Sequence, residues 1–455
     1  MARKKQVKTP EQRLEEALVP REEQPYAVPD NWCWARLGAC INKTTEKQAV
    51  CTSEDLYIGL ENMESGKGII SYGDASSLKS DKAVFHPGQV LYGRLRPYLD
   101  KHDVAKVEGI CSTDILVYDV NPRSDARYID YLMSTSRFVR YASSCAKGVN
   151  LPRVSPADVE RFAIPLPPLA EQRRIVERVE GLFEKLDEVE KTLHDVLRQS
   201  EQHIHVLLRE AFSGELSQRW RKEHDIDFCS SWKRIKLIEA LEGKPRNGFS
   251  PKPVYYETGI KTLSLSAVTS GLFRPDCYKY VDIDVGADSH LWLEPGDILL
   301  QRSNSLDKVG TSALYTGTSH GFIYPDLMMK LRVNSDIAFA PFVAYQLKTP
   351  GVMNYLREHA TGTAGNMPKV NQATVCSIPL VLPCKEEQVS IANRLDSLIG
   401  TERKSFDITA RALSQVKRIR SSVLQLALAG KLGTNISEEL NAKESLLEQF
   451  TGDVD

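Results

Sequence analysis

The sequence predicts an α+β fold in which one plan, a mixed α/β domain followed by a very long helix, is used twice. Three observations carry this. Leu166-Pro167-Pro168-Leu169-Ala170-Glu171-Gln172 opens a stretch that runs to Gly214 without another proline. A shift of 216 residues (383 minus 167) lays Pro383, Glu387, Gln388, Ile391, Arg394 and Leu395 on Pro167, Glu171, Gln172, Ile175, Arg178 and Val179. Ahead of each copy, short β-type runs alternate with Gly, Pro, Asn and Asp punctuation and then give way to helical patterns. A fixed internal period of this length means a duplicated domain-plus-helix unit, not a solenoid.

The elements follow in order. Residues 1–25 form a charged lead-in, with a short helix expected over Glu11–Leu18 and Leu14, Ala17 and Leu18 on one face. The first domain spans 26–165 and opens at Trp32-x-x-x-x-Leu37. Its strands include Val90-Leu91-Tyr92 and Ile115-Leu116-Val117-Tyr118, and its helices Tyr128–Met133 and Phe138–Ala142. The first long helix covers 166–216. Prolines are tolerated where a helix begins, and Glu171 suits the positive end of its dipole. Apolar residues at Ile175, Val179, Leu182, Leu186, Val189, Leu193, Val196 and Leu207 step by fours and threes, the mark of a coiled-coil seam. At about 1.5 Å per residue the helix would be roughly 65 Å long, too long to serve one domain.

A polar linker, 217–228, leads to the second domain, 229–381, which opens at Trp232 and Leu237 with the same spacing. Ile298-Leu299-Leu300 and Leu327–Leu331 are its matching strands, Pro341–Lys348 and Val352–Glu358 its helices. The second long helix covers 382–432, with Ile391, Leu395, Leu398, Val416 and Val423 on its seam. Residues 433–455 read as an acidic, unpatterned, frayed tail.

Composition sets outer limits. Net charge is −1, charged residues make up 26 % and hydrophobic ones 42 %, an ordinary globular balance that argues against a nonspecific coat on nucleic acid. Nine cysteines with no C-x-x-C pair suggest reduced thiols in a cytoplasmic protein, without a disulfide framework or zinc site. The charged start at Met1-Ala2-Arg3-Lys4-Lys5 does not read as a signal peptide, and no run approaches the ~20 apolar residues of a membrane span.

Catalytic constellations are missing. No G-x-x-x-x-G-K-S/T phosphate loop is present, Gly59 to Lys67 having the wrong spacing. No N/D-P-P-Y/F amino-methylation motif and no glycine-rich adenosyl fingerprint occur. His194, His203 and His205 lie along the first long helix and read as a solvated face rather than metal ligands. Glu402-x-Lys404 resembles the tail of a nuclease motif without its partner carboxylate. No catalytic residue and no metal site is assigned.

Basic, aromatic and amide residues instead gather at strand-to-loop junctions. The first domain has Tyr92, Arg94, Arg96, Tyr98 and Lys101, then Lys147 and Asn150 in its closing loop. The second has Arg246, Asn247 and Phe249, then Gln301, Arg302, Ser303, Asn304 and Lys308, and Asn366 in its closing loop. Arg can fork onto guanine, Asn and Gln onto adenine, and Lys and Ser can grip phosphate. Any one of them could equally be a solvated turn residue. As groups at matching positions of two copies, they are the candidate DNA contacts.

With these residues in view, the sequence resembles the specificity subunits of type I restriction-modification enzymes. The resemblance rests on Ile164-Pro165-Leu166-Pro167-Pro168-Leu169-Ala170-Glu171-Gln172-x-x-Ile175 and its second copy Leu382-Pro383-x-x-Glu386-Glu387-Gln388-x-x-Ile391. The Trp-x-x-x-x-Leu openings, Pro295-Gly296-Asp297-Ile298-Leu299 and Ala211-Phe212-Ser213-Gly214-Glu215-Leu216 add to it. Cys384-Lys385 stands in the second copy where the first has Pro168-Leu169.

The resemblance implies two target recognition domains separated by two long helices that pack as an antiparallel coiled coil, with pseudo-twofold symmetry. It implies a non-catalytic subunit that binds double-stranded DNA at a bipartite, asymmetric site, one half per domain. Two methyltransferase subunits and restriction/translocase subunits are the implied partners, carrying adenosylmethionine, ATP and magnesium; no cofactor belongs to this chain. In an antiparallel pair the polar helix middles, Ser200, Gln202 and His203 against Glu402, Ser405 and Thr409, would meet through polar contacts. Arg174, Glu177, Arg178 and Arg394 are candidate exposed positions for the methyltransferase. The alternative is a non-catalytic coiled-coil scaffold whose domains bind protein.

Overall fold

A computed structural model describes residues 8–49, 51–76, 80–227, 232–362 and 367–452. The chain divides into two compact units, Met1–Thr192 with Ala412–Asp455, and Leu193–Arg411. The long helices are found at Leu169–Phe212 and Lys385–Leu428. Each unit thus contains half of one long helix and the opposite half of the other.

In the first unit, strand Val90–Gly93 is antiparallel to His102–Val104 on one side and to Ile115–Val120 on the other, and the latter pairs with Ile41–Lys43. Helix Ala126–Met133, capped by the Asp125 carboxylate, and helix Ser136–Cys145, capped by the Thr135 hydroxyl, cover the sheet. Tyr92, Tyr118, Tyr128 and Phe138 are fully buried among them. Burying such a ring is worth about 2–3 kcal/mol. The opening strand Cys33–Arg36 pairs antiparallel with the last strand Ala163–Leu166, which sets the start of the domain beside the root of the first long helix.

The second unit repeats the plan. Opening strand Lys233–Lys236 pairs with last strand Pro379–Leu382. Strand Ile298–Gln301 lies between Ser312–Leu314 and Met328–Leu331, with Arg246–Asn247 at the edge. Helices Ala340–Gln346 and Pro350–Glu358 follow.

Within each unit the long helices are antiparallel, the first half of one against the second half of the other. Ile175, Val179, Leu207, Ile391, Leu395 and Val416 are buried on the seam, whereas Leu182, Leu186, Leu193, Val196, Leu398 and Val423 are half-buried. Val189, placed on the seam by its heptad position, is 47 % exposed, so the dry seam fails towards the helix middle. In the second unit polar contacts take over: Ser200 Oγ donates to Glu402 Oε2 at 2.6 Å, and His203 Nδ1 lies 2.7 Å from Glu402 Oε1. In the first unit Arg420 pairs with Asp187 across the seam and stacks 5.0 Å from the Phe183 ring centre.

The Glu-Gln pair at each helix root has a role beyond the helix dipole. Gln172 donates to Pro167 O at 2.9 Å and accepts from Asp125 N–H at 2.8 Å, and Gln388 does the same with Pro383 O and Phe339 N–H. Each amide thereby fixes the helix root to the segment before the domain's covering helices. Glu171 is fully buried and accepts from Thr434 Oγ1 at 2.6 Å and from Arg174. Burial pushes its pKa up, against the lowering effect of those two donors. Glu387 accepts from Ser217 Oγ and Arg221, both at 2.7 Å, and from Trp232 Nε1. Each glutamate therefore binds the residues that follow the end of the opposing long helix.

Two expectations change accordingly. The acidic stretch is not frayed over its described length: Ala442–Gly452 is a helix with Ala442 and Leu446 buried, Leu446 within the first unit's core. The short helix expected in the lead-in is found at Pro10–Ala17, with a Thr9–Gln12 capping box and Leu14 and Ala17 buried. Arg174 is not a free surface residue, because Glu439 holds it bidentately at 2.7 Å. The sequence pattern missed these because the tail's apolar residues are few and their partners lie at the opposite end of the chain.

Candidate nucleic-acid interface

The candidate loops are built from the ends of equivalent strands. Gly93 pairs with Ile115 as Gln301 pairs with Met328, so Arg94 and Arg302 are the first residues beyond the same strand. Arg94 N–H donates to Asp114 O at 2.8 Å and its carbonyl accepts from Val154 N–H at 3.1 Å. Arg302 N–H donates to Leu327 O at 3.0 Å and its carbonyl accepts from Val370 N–H at 2.8 Å. One step on, Leu95 bridges to Arg153 and Ser303 to Lys369. Arg153 in turn bridges to Lys147, and Lys369 to Thr361. The strand-exit loop and the closing loop, read separately in the sequence, are therefore joined by backbone hydrogen bonds in both units.

On this frame the first unit exposes Arg96, Tyr98, Lys147 and Asn150, with Val149 98 % exposed between the last two. Arg96 and Asp100 both adopt left-handed backbone conformations, φ 51° and 49°, around a turn at Pro97–Leu99. The Arg96 N–H donates to Pro152 O at 2.7 Å, which anchors the turn. Lys101 is half-buried, its Nζ donating to Leu60 O at 2.6 Å. Tyr92 is a core residue, 1 % exposed and edge-on to Phe138. It cannot reach a ligand from there.

The second unit exposes Arg246 and Phe249, and Asn247 and Lys308 are half-buried. Gly248 is required between Asn247 and Phe249: a Cβ there would lie 2.1 Å from Tyr324 O. Gln301 and Ser303 are buried. The Gln301 amide donates to Leu265 O and Thr269 Oγ1, and Asn304 Nδ2 donates to Gln301 Oε1 at 2.8 Å. Gln301 thus supports the loop from beneath instead of contacting a ligand. Asn366 lies outside the described residues.

Electrostatics separate the two frames. Arg153 is forked onto Asp114 at 2.7 and 3.1 Å. The second unit has Leu327 in place of Asp114, which leaves Lys369 without that carboxylate. Arg94 and Arg302 each have a buried Nε without a hydrogen-bond partner. Sequence reading missed Arg153, Lys369 and the exposed Tyr255-Tyr256 pair. Two adjacent tyrosines in a proline-bounded polar loop were the available signal for the last. Among the described residues no cluster of side chains could hold a metal ion, and no helix is long and apolar enough to cross a membrane.

Two α+β domains, each rooted on paired antiparallel helices and each presenting a basic double loop, make a duplicated domain-plus-helix architecture. Residues 44–199 match the family model described as the type I restriction modification DNA specificity domain. The chain is 31 % identical over 228 residues to the EcoDI specificity subunit of Escherichia coli, covering 49 % of this chain and 51 % of that one. It is 25 % identical over 310 residues to the EcoKI specificity subunit of E. coli K12, covering 67 % and 65 %. The chain thus spans about half to two thirds of the length of these relatives. A solved structure concerned with complex assembly and conformational transition of the type I R-M system shares the fold, with TM-score 0.69 and 22 % identity over 90 % of this chain and all of that one.

Proposed function

We propose that this chain is the DNA sequence-specificity subunit of a type I restriction-modification enzyme. Each domain reads one half of a bipartite, asymmetric target in double-stranded DNA, and the long helices set the spacer between the halves. The chain is not itself catalytic. It recruits two methyltransferase subunits and restriction/translocase subunits in the cytoplasm, and adenosylmethionine, ATP and magnesium act on those partners.

The observation that carries this reading is the shared double-loop frame. Two diverged domains place an arginine, Arg94 or Arg302, at the same strand exit, beside a closing loop with a second basic residue. A part common to both halves suits phosphate, which is the same everywhere along DNA. Parts that differ, Arg96 and Tyr98 against Arg246, Asn247 and Phe249, suit base edges, which differ between half-sites.

The test is co-expression with a methyltransferase subunit, followed by single-molecule sequencing of host DNA for methyladenine. One bipartite motif with a fixed spacer is expected. A soluble complex with competent methyltransferase chemistry and no motif would favour the protein-binding scaffold instead.

A further inference from the structure

One end of the first domain gathers three arginines, Arg36, Arg137 and Arg161. Arg36, Arg137, Tyr141, Arg161, Phe162 and Ala163 line an open cleft of about 480 Å³. The Arg137 guanidinium lies 4.9 Å from the Trp34 ring centre and 4.5 Å from that of Phe162. It donates to Ala163 O at 2.5 Å, and no carboxylate pairs with it among the described residues. Burial pulls its pKa below the usual guanidinium range. Its charge is thus met by two ring faces and one carbonyl, with no counter-charge among the described residues. On the cleft walls, Arg36 already binds a carboxylate, Glu23 at 2.5 Å, and Arg161 is 73 % exposed with Asp158 3.5 Å away.

The second domain serves as an internal control. Arg36 pairs with Ala163 as Lys236 pairs with Pro379. Leu37 N–H donates to Phe162 O as Leu237 N–H donates to Ile378 O. Thr135 and Thr349 stand immediately before equivalent helices. By this register Trp34, Arg137, Arg161 and Phe162 correspond to Arg234, Gly351, Ser377 and Ile378. The same backbone frame closes there without the aromatic sandwich and without the arginines at 137 and 161.

We propose that this cleft docks an acidic segment of a partner polypeptide, with side-chain carboxylates on Arg137 and Arg161 and their apolar stems against Phe162 and Tyr141. Forked guanidinium–carboxylate pairs supply direction, and arginine with aromatic neighbours is the composition of an interface hot spot. Because, among the described residues, the second domain lacks the counterparts of Arg137 and Arg161, one chain engages one such segment. Protein is favoured over DNA because Arg137 is in the first turn of its helix, whereas Lys147 and Asn150 follow the last. Ten residues of helix set the two about 15 Å apart.

The test uses the full chain and a fluorescein-labelled hexaglutamate peptide, read by anisotropy at low and moderate salt. Salt-sensitive binding is expected, weakened about tenfold by Arg137→Gln and by Arg161→Gln, and unaffected by Arg302→Ala. Arg161 is exposed, so its variant tests the cleft even if Arg137→Gln misfolds. Peptide affinity indifferent to Arg161→Gln would overturn the proposal. So would random-sequence duplex DNA that displaces the peptide and loses affinity to the same variants, since the cleft would then bind phosphate. Neither result touches the methylation test of the DNA-binding reading.

Discussion

Arg221 donates to Glu387 Oε1 at 2.7 Å where the two side chains are only 9 % and 0 % exposed. The pair ties the segment after one long helix to the root of the other. Removing one partner leaves an uncompensated buried charge, which costs about 3–5 kcal/mol. Arg221→Ala is therefore expected to lower the stability of the second unit by that order in urea denaturation. Glu387→Gln, which can still accept from Ser217, should cost less. A drop under about 1 kcal/mol for Arg221→Ala, the range of exposed pairs, would contradict the anchoring role.

His102 gives the first unit an alkaline weakness. The ring is buried, Nδ1 2.6 Å from Asp130 and Nε2 3.3 Å from Asp100. Desolvation opposes its protonation, but the two carboxylates overcome it and raise the pKa from 6.5 to about 10. A raised folded-state pKa contributes stability that is fully present below pH 6.5 and is lost as pH rises towards about 10. Thermal melts of wild type and His102→Gln should differ most near pH 6 and converge by pH 10. Parallel curves would rule the linkage out.

Glu402 works in the opposite direction. Ser200 first, then His203, holds its carboxylate below the ordinary value of 4.5. The stability this lends the helix middle is present above pH 4.5 and disappears as pH falls below it. Wild type should lose its advantage over Glu402→Gln as pH falls below 4.5. An advantage that persists there would show that packing, not charge, makes the interaction.

Arg94 and Arg302 should behave alike and differently from Arg96. On the phosphate assignment, either alanine variant weakens binding to all duplexes similarly and reduces the salt slope by about 0.9 for each phosphate no longer neutralised. Arg96→Ala should alter the methylation motif in one half only. If Arg302→Ala instead relaxed one base position at unchanged salt slope, the residue would be a base reader.

The loop carrying Phe249 is pinned by its neighbour. Gly248→Ala forces a Cβ to within 2.1 Å of Tyr324 O and 2.4 Å of Pro325 O, so backbone must shift. The second half of the methylation motif should fade while the first stays sharp. An unchanged motif would separate this loop from recognition.

The long helices were legible because fours-and-threes spacing sustained over tens of residues has no other physical solution. Paired strands and covering helices were legible from turn punctuation. Side-chain direction at the strand ends was not: Val90–Gly93 and Ile298–Gln301 are buried on both faces, so alternation carries no signal. Tyr92 and Gln301 thus read like their exposed neighbours Arg96 and Arg246. Glu171 read as a helix-dipole residue because its partner, Thr434, is distant in sequence and lies beyond the other helix. No local pattern announces a buried carboxylate of that kind.

The division of the chain also has a consequence for synthesis. The second unit is one continuous segment, whereas the first needs Ala412–Leu428 and the helix Ala442–Gly452 to complete its core. On a ribosome, which usually lets the leading domain fold first, the domain begun first is finished last. A nascent chain released after residue 411 would hold an intact trailing unit and a leading one with its hydrophobic flank bare. Premature termination should therefore send the N-terminal domain, not the C-terminal one, to chaperones and proteases.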